Sequence, residues 1–305
     1  MWGMKHVLLL GAFALASASF ATFDLVYVAD EGTDTIHRFD GGSGVYLGAF
    51  TGPFSNPRGI AIDQTNSRMF VTADNGIFII DLWSGTLMNA EAQSGQGATV
   101  YAPGQYLFAV NGSSNYLGGG LDGSSGWFTG ASLPGAIALR KGVDYQNNVL
   151  FTASAAAGVQ RYSLGSFFGA ATLLSTQALT TPGTLGQTAV GTGYALTADG
   201  STNKLHFTFA SGGGTDFVSP YSTLSTLVGV DFAHNDVFYA AGRNATNTSG
   251  LLIQSSTRFT GTALRTYGSG ILQNPTAVAT ITAPEPASMI GLGLGALLLR
   301  RRRRA

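Results

Sequence analysis

The chain has 305 residues, of which 45% are hydrophobic and 10% charged, with 43 glycines and no cysteine. No disulfide framework exists, so the fold must rest on core packing. The formal charge of zero conceals a division: without Arg300 to Arg304, Lys5 and Glu285, ten basic residues face fifteen acidic ones, a net of about −5 that excludes nucleic acid as a partner.

Residues 1–21 read as a processed address. Lys5 and His6 precede the apolar run Val7 to Ala16, and small residues follow in the patterns Ala16-Ser17-Ala18 and Ser19-Phe20-Ala21. A short positive region, an apolar core too short to span a bilayer and small residues at the cut positions predict a secretory signal peptide. Signal peptidase is the expected partner, cutting after Ala21 or, alternatively, after Ala18.

Residues 22–283 then vary one hairpin. Leu25 to Ala29 is an apolar strand, Asp30 to Asp34 a polar turn, and Thr35 to Phe39 an alternating strand. The first strand of that hairpin returns in MFVTAD, YLFAVN, VLFTAS, YALTAD and VFYAAG, ending at Asp74, Asn111, Ser154, Asp199 and Gly242. Intervals of 44, 37, 43, 45 and 43 residues match the length of a four-stranded propeller blade, and six repeats predict six blades. Asp63, Asp144 and Asp231 each stand seven positions before an aromatic (Phe70, Phe151, Phe238), which fixes a second hairpin in constant register.

The two ends of this domain complement one another. Asn56-Pro57-Arg58-Gly59-Ile60 opens the strand before MFVTAD, and Asn274-Pro275-Thr276-Ala277-Val278 repeats that opening with no such strand after it. The first hairpin, in turn, lacks an upstream partner. Ring closure, with the last strand joining the first blade, removes both exposed edges. The segment Asn56 to Asp63 with its following strand, and the opening VYVAD, resemble NHL and related six-bladed propeller repeats. The resemblance is partial around Val143 and Val230 and poor from Gly112 to Gly135, a long loop with a weak outer strand or a damaged blade. Five or seven blades fit the spacing there as well.

Candidate chemistry is sparse. Asp30, Asp74, Asn111, Ser154 and Asp199 hold equivalent strand ends, and a ring of oxygen ligands of this kind suits calcium, with Asp30, Asp74 and Asp199 the candidate metal ligands. The competing role for each is to satisfy the backbone of the following turn. Hydrolases of the lactonase kind, which share the propeller, hold a channel metal through Glu, Asn and Asp; the two glutamates of the domain, Glu31 and Glu91, match no such motif. His37, His206 and His234 have no zinc spacing, and no Gly-x-Ser-x-Gly elbow or phosphate loop occurs. Trp83, Trp127, Tyr46, Tyr101, Tyr116 and Tyr221 fall near loops, where aromatic faces stack on sugar rings or pack between sheets.

After Thr282 the composition changes. Pro284-Glu285-Pro286 is followed by an apolar run carrying Met289, Ile290, Leu292, Leu294, Leu297, Leu298 and Leu299, then by Arg300, Arg301, Arg302, Arg303 and Arg304. Residues 284–305 resemble the PEP-CTERM sorting signal of Gram-negative bacteria, in which a Pro-Glu-Pro motif, a short membrane helix and a basic cluster occur in this order. The resemblance implies a membrane anchor with the arginines cytoplasmic, then processing by an exosortase near Pro284 to Pro286. The sequence therefore predicts an all-β, six-bladed propeller closed by its C-terminal strand and flanked by a signal peptide and a C-terminal membrane helix. Its expected role is a non-enzymatic binding module at the cell surface or in the extracellular matrix, with no cofactor and with exopolysaccharide or another envelope protein as partner. The alternative is a metal-dependent lactonase- or esterase-like hydrolase with its site in the channel.

Overall fold

The computed structural model describes residues 22–92, 95–102, 105–110, 116–120, 128–129, 142–146, 149–154, 158–164, 171–178, 185–191, 193–209, 211, 214–218, 224–233, 237–256 and 263–284. The chain divides into two units. The larger is Leu25–Ile281. The other holds the two chain ends, of which residues 22–24 and 282–284 are described; within it the Thr282 hydroxyl donates to Asp24 Oδ1 at 3.3 Å.

The described chain is all-β, in six four-stranded sheets. The first contains β1 (Thr22–Asp30), β2 (Thr35–Asp40) and β3 (Tyr46–Thr51) together with the last strand, β24 (Pro275–Pro284), in the order β24-β1-β2-β3. Next come β4 (Gly59–Asp63), β5 (Arg68–Ala73), β6 (Gly76–Asp81) and β7 (Leu87–Glu91), paired in chain order. The third sheet consists of β8 (Gly95–Ala102), β9 (Gln105–Val110), β10 (Tyr116–Gly120) and β11 (Phe128–Thr129). The fourth holds β12 (Gly142–Gln146), β13 (Val149–Ser154), β14 (Gly158–Leu164) and β15 (Ala171–Gln177). β16 (Leu185–Gly191), β17 (Tyr194–Asp199), β18 (Lys204–Phe209) and β19 (Gly214–Val218) form the fifth, and β20 (Leu224–Phe232), β21 (Val237–Asn244), β22 (Gly250–Ser256) and β23 (Ala263–Tyr267) the sixth.

The expectation of six full blades is corrected here. Five sheets are complete, with every strand five residues or longer, whereas the third ends in the two-residue β11. Its sequence explains the reduction: Gly118, Gly119 and Gly120 follow one another in β10 and leave no side chains on which an outer strand could pack. The predicted signal peptide and membrane helix lie outside the described residues, among which no helix is long and apolar enough to cross a membrane. Closure is as the paired Asn-Pro openings require, because β24 lies beside β1 as the inner strand of the first blade.

The middle strands read as continuous apolar runs because both faces are buried. On β21, Phe238 and Ala240 pack toward Leu196, Leu205 and Phe207 of the fifth blade, while Tyr239 and Ala241 pack toward Val26, Val28 and Phe39 of the first. Each large side chain so buried contributes about 1.5–3 kcal/mol. The turns between third and fourth strands repeat a local code. In Asp40 to Val45 and again in Asp81 to Thr86, an Asp carboxylate accepts from the amide of the Ser three residues on, and the next residue is a Gly at φ 78° or 73°. A side chain at that Gly would be strained.

Candidate functional site

Antiparallel pairing puts the starts of the inner strands and the turns after Asp30, Asp74 and Asp199 on one face, here called the upper face. Opposite lie the turns between third and fourth strands.

Asp30 is fully buried, and its carboxylate accepts three backbone N–H groups: Gly32 at 2.9 Å, Gln273 at 2.6 Å and Asn274 at 2.8 Å. It clasps the start of the closing strand to the first blade. Asp199, also buried, accepts from the amide and hydroxyl of Ser201, from both groups of Thr202 and from His206 Nε2 at 3.1 Å. Burial works against its charged form, but these donors outweigh burial and hold the carboxyl below the usual carboxylate range. Asp74 accepts a forked pair from Arg58 at 2.7 and 3.0 Å and the Asn56 amide at 2.9 Å; the Arg58 hydrogen bond is the main reason its carboxyl is also held low.

The three candidate metal ligands thus sit in three separate turns, each occupied by its own donors. Among the described residues no three His, Cys, Asp or Glu side chains come close enough to hold a metal ion. Ser154 ends β13 as read, but its side chain, like those of Asn111, Trp127, Tyr101, Tyr116, Tyr221 and His234, is outside the described residues. Glu91 ends the outer strand β7, far in the fold from the channel-lining strands. Pro284 ends β24, and Glu285 to Arg304 lie outside the described residues. His37 is buried between the hydroxyls of Thr33, Thr35 and Tyr46 at 3.0–3.2 Å, and Trp83 is exposed with its indole N–H on Ser67 Oγ.

Two cavities among the described residues are the candidates for a site; a smaller one, of about 110 Å³, lies beside Glu31, Arg58 and Thr276. The channel between the inner strands holds about 220 Å³, lined by β4, β8, β16, β20 and β24. Inner strands have one edge with no ladder partner, and side chains of neighbouring inner strands serve that edge. Gln187 Nε2 donates to the Val278 carbonyl at 2.6 Å, while its Oε1 accepts from Val278 N at 2.7 Å and Val230 N at 3.2 Å. Asp231 Oδ2 accepts from the amide and hydroxyl of Thr280 at 2.6 and 2.9 Å. Gln187 and Asp231 thereby tie the fifth and sixth blades to the closing strand, while the Thr188 hydroxyl bonds that of Thr197 within the fifth blade at 2.9 Å.

The second cavity, about 580 Å³, is an open cleft on the upper face between the turns of the first and sixth blades. Asn56, Asn247, Thr248, Ser249, Gln273 and Asn274 line it beside Glu31 and Arg243. Arg243 Nε donates to Asn274 Oδ1 at 2.7 Å, the Asn274 amide donates to Glu31, and Glu31 lies 3.8 Å from Arg58. Sequence reading passed over Gln187 and Arg243, which carry no motif. Asn56, Arg58 and Asn274 were visible as the repeated strand opening, a signal of closure that also marks the cleft.

No protein-family model matches the chain, and no curated protein sequence does. Its fold is shared with solved structures. One is a chain in the crystal structure of a nidogen/laminin complex, at TM-score 0.67 and 12% identity, the match covering 85% of this chain and 98% of that one. Another is a protein of unknown function from Bacteroides caccae, at TM-score 0.61 and 12% identity, covering 86% and 99%. At such identity the likeness establishes the β-propeller fold alone.

Proposed function

We propose that this β-propeller is an exported binding module whose upper cleft takes a polyhydroxylated ligand, a polysaccharide of the cell surface or matrix. The observation that carries this reading is the lining of that cleft, where side-chain amides and hydroxyls surround about 580 Å³ next to one arginine and one glutamate. Amides and hydroxyls both donate and accept, as the hydroxyls of a sugar do. The aspartates that a hydrolase would need are committed to turns and to the closing strand. The ends of the chain supply the address: a signal peptide of residues 1–21 exports the domain, the apolar run and arginines of residues 287–304 anchor it, and an exosortase processes it at Pro284 to Pro286.

A glycan array probed with the purified chain tests the ligand class. Asn247→Ala and Thr248→Ala remove groups that line the cleft, and each lowers affinity for the bound glycan by about tenfold, the worth of one hydrogen bond. Binding unchanged in both variants, or no glycan bound at all, rejects the cleft. Sorting is tested separately: replacing Glu285 and Pro286 leaves the chain membrane-bound with its tail intact, and release of a shortened domain from that variant refutes processing at this motif.

A further inference from the structure

The lower rim carries a device that repeats in four blades. In β3, β7, β15 and β23 the pairing with the third strand is interrupted by a one-residue bulge, and the extra residue is Leu47, Met88, Leu174 and Leu264 in turn. A bulge re-aims one side chain out of the regular alternation. All four side chains it re-aims are large and apolar, and all are 41–55% exposed. Core packing does not ask for an apolar residue at such a position, yet it recurs four times.

The placement is one-sided. Val45 and Trp83 stand in the turns that lead into β3 and β7, and Phe209 ends β18 on the same side. Every exposed large apolar side chain among the described residues lies in a lower turn, at the lower end of a strand or among the first four residues of a fourth strand. The upper face has the polar cleft instead.

The geometry points to a lipid bilayer surface as the occupant of this rim. The apolar residues are spread over separate blades, which suits a fluid layer that takes up side chains one at a time better than a protein partner needing one continuous patch. Trp83, the most exposed aromatic side chain of the rim, has the amphipathic ring that settles at headgroup level. Within the larger unit, the chain enters at Leu25 and leaves at Ile281 on this same lower side. Only Glu285 and Pro286 separate the end of β24 at Pro284 from Ala287, where the apolar run begins, and an extended chain covers at most about 3.6 Å per residue. Before processing, an anchor in that run keeps the domain at a membrane, so a bilayer surface is the partner within reach of this chain. This inference rests on the anchor reading of the tail for the tether and on the bulges for the contact.

The absence of cysteine makes the test direct. Full-length chains carrying M88C, L174C or L264C, and T246C on the upper face as control, are labelled with a polarity-sensitive fluorophore and reconstituted in phosphatidylcholine vesicles. The rim labels are expected to be quenched several-fold more strongly by spin-labelled lipid than the Thr246 label, which remains open to aqueous iodide. Chains that float with the vesicles while their rim labels stay open to iodide overturn rim docking and leave the anchor standing. Chains that do not float overturn both. Rim labels shielded from iodide but untouched by the lipid quencher, in protein that sediments as a dimer, assign the rim to a second copy and overturn docking to lipid.

Discussion

Asp30 and Asp199 occupy the same strand end in two blades, and each faces a histidine seven residues on, His37 and His206, paired in the same register. Their duties differ: Asp199 serves its own turn, while two of the amides on Asp30 lie 243 and 244 residues away. His37 is held below the ordinary histidine value because burial disfavours its charged form, with Asp30 at 3.8 Å pulling the other way. The unfolded chain takes up that proton near pH 6.5 and the folded chain only at lower pH, so the unfolded state binds more protons in that window. Stability is therefore expected to fall as pH drops below about 6.5, and His37→Gln to flatten that slope in urea melts between pH 7 and 5. An identical slope in wild type and variant removes His37 from the account. The equivalence of these aspartates was legible from spacing alone. Their partners were not, since the amides of Gln273 and Asn274 meet Asp30 only once the ring closes.

At the level of elements, legibility follows burial. The second strands are buried on both faces and stand out as apolar runs such as MFVTA and VFYAA, whereas outer strands such as LMNAE in β7 bury no residue fully and look like loop. Inner strands lie between these extremes, and Gln187 in LGQTAVG has the appearance of an ordinary polar residue in an alternating strand. Its role depends on β20 and β24 being brought beside β16, which nothing local encodes. Gln187→Leu fills the space but leaves two amides and a carbonyl of those strands without partners, and the expected loss is about 2–4 kcal/mol in urea unfolding. Gln187→Glu keeps the acceptor for both amides and loses less. Equal stability of the leucine variant shows instead that water in the channel serves those amides as well as the glutamine does.

For the molecule as a whole, the repeated Asn-Pro openings made closure legible, and the spacing of strand ends made a propeller legible. The blade count misled because the spacing of strand ends registers second strands, and the third sheet has a full second strand, β9, while its outer strand shrinks to Phe128–Thr129. Closure concentrates many bonds on β24: the Asp30 clasp at its start, Gln187 at Val278, Asp231 at Thr280 and the Thr276 hydroxyl on the Ala29 and Pro57 carbonyls. Deleting Asn274 to Ile281 strips all of them but the Gln273 amide on Asp30 and exposes the edge of β1, so the deletion is expected to lose cooperative thermal unfolding altogether. Toxicity of the deletion to folding in general is controlled by a circular permutant. β24 starts beside the end of β1 and runs back antiparallel to it, so moving residues 271–284 in front of residue 22 through a short turn preserves every bond of the closing strand. The permutant is expected to unfold cooperatively near the wild-type midpoint. A deletion that melts like wild type refutes closure by β24, and a permutant that fails while wild type folds shows that the covalent path into β24 from the sixth blade matters beyond the contacts it makes.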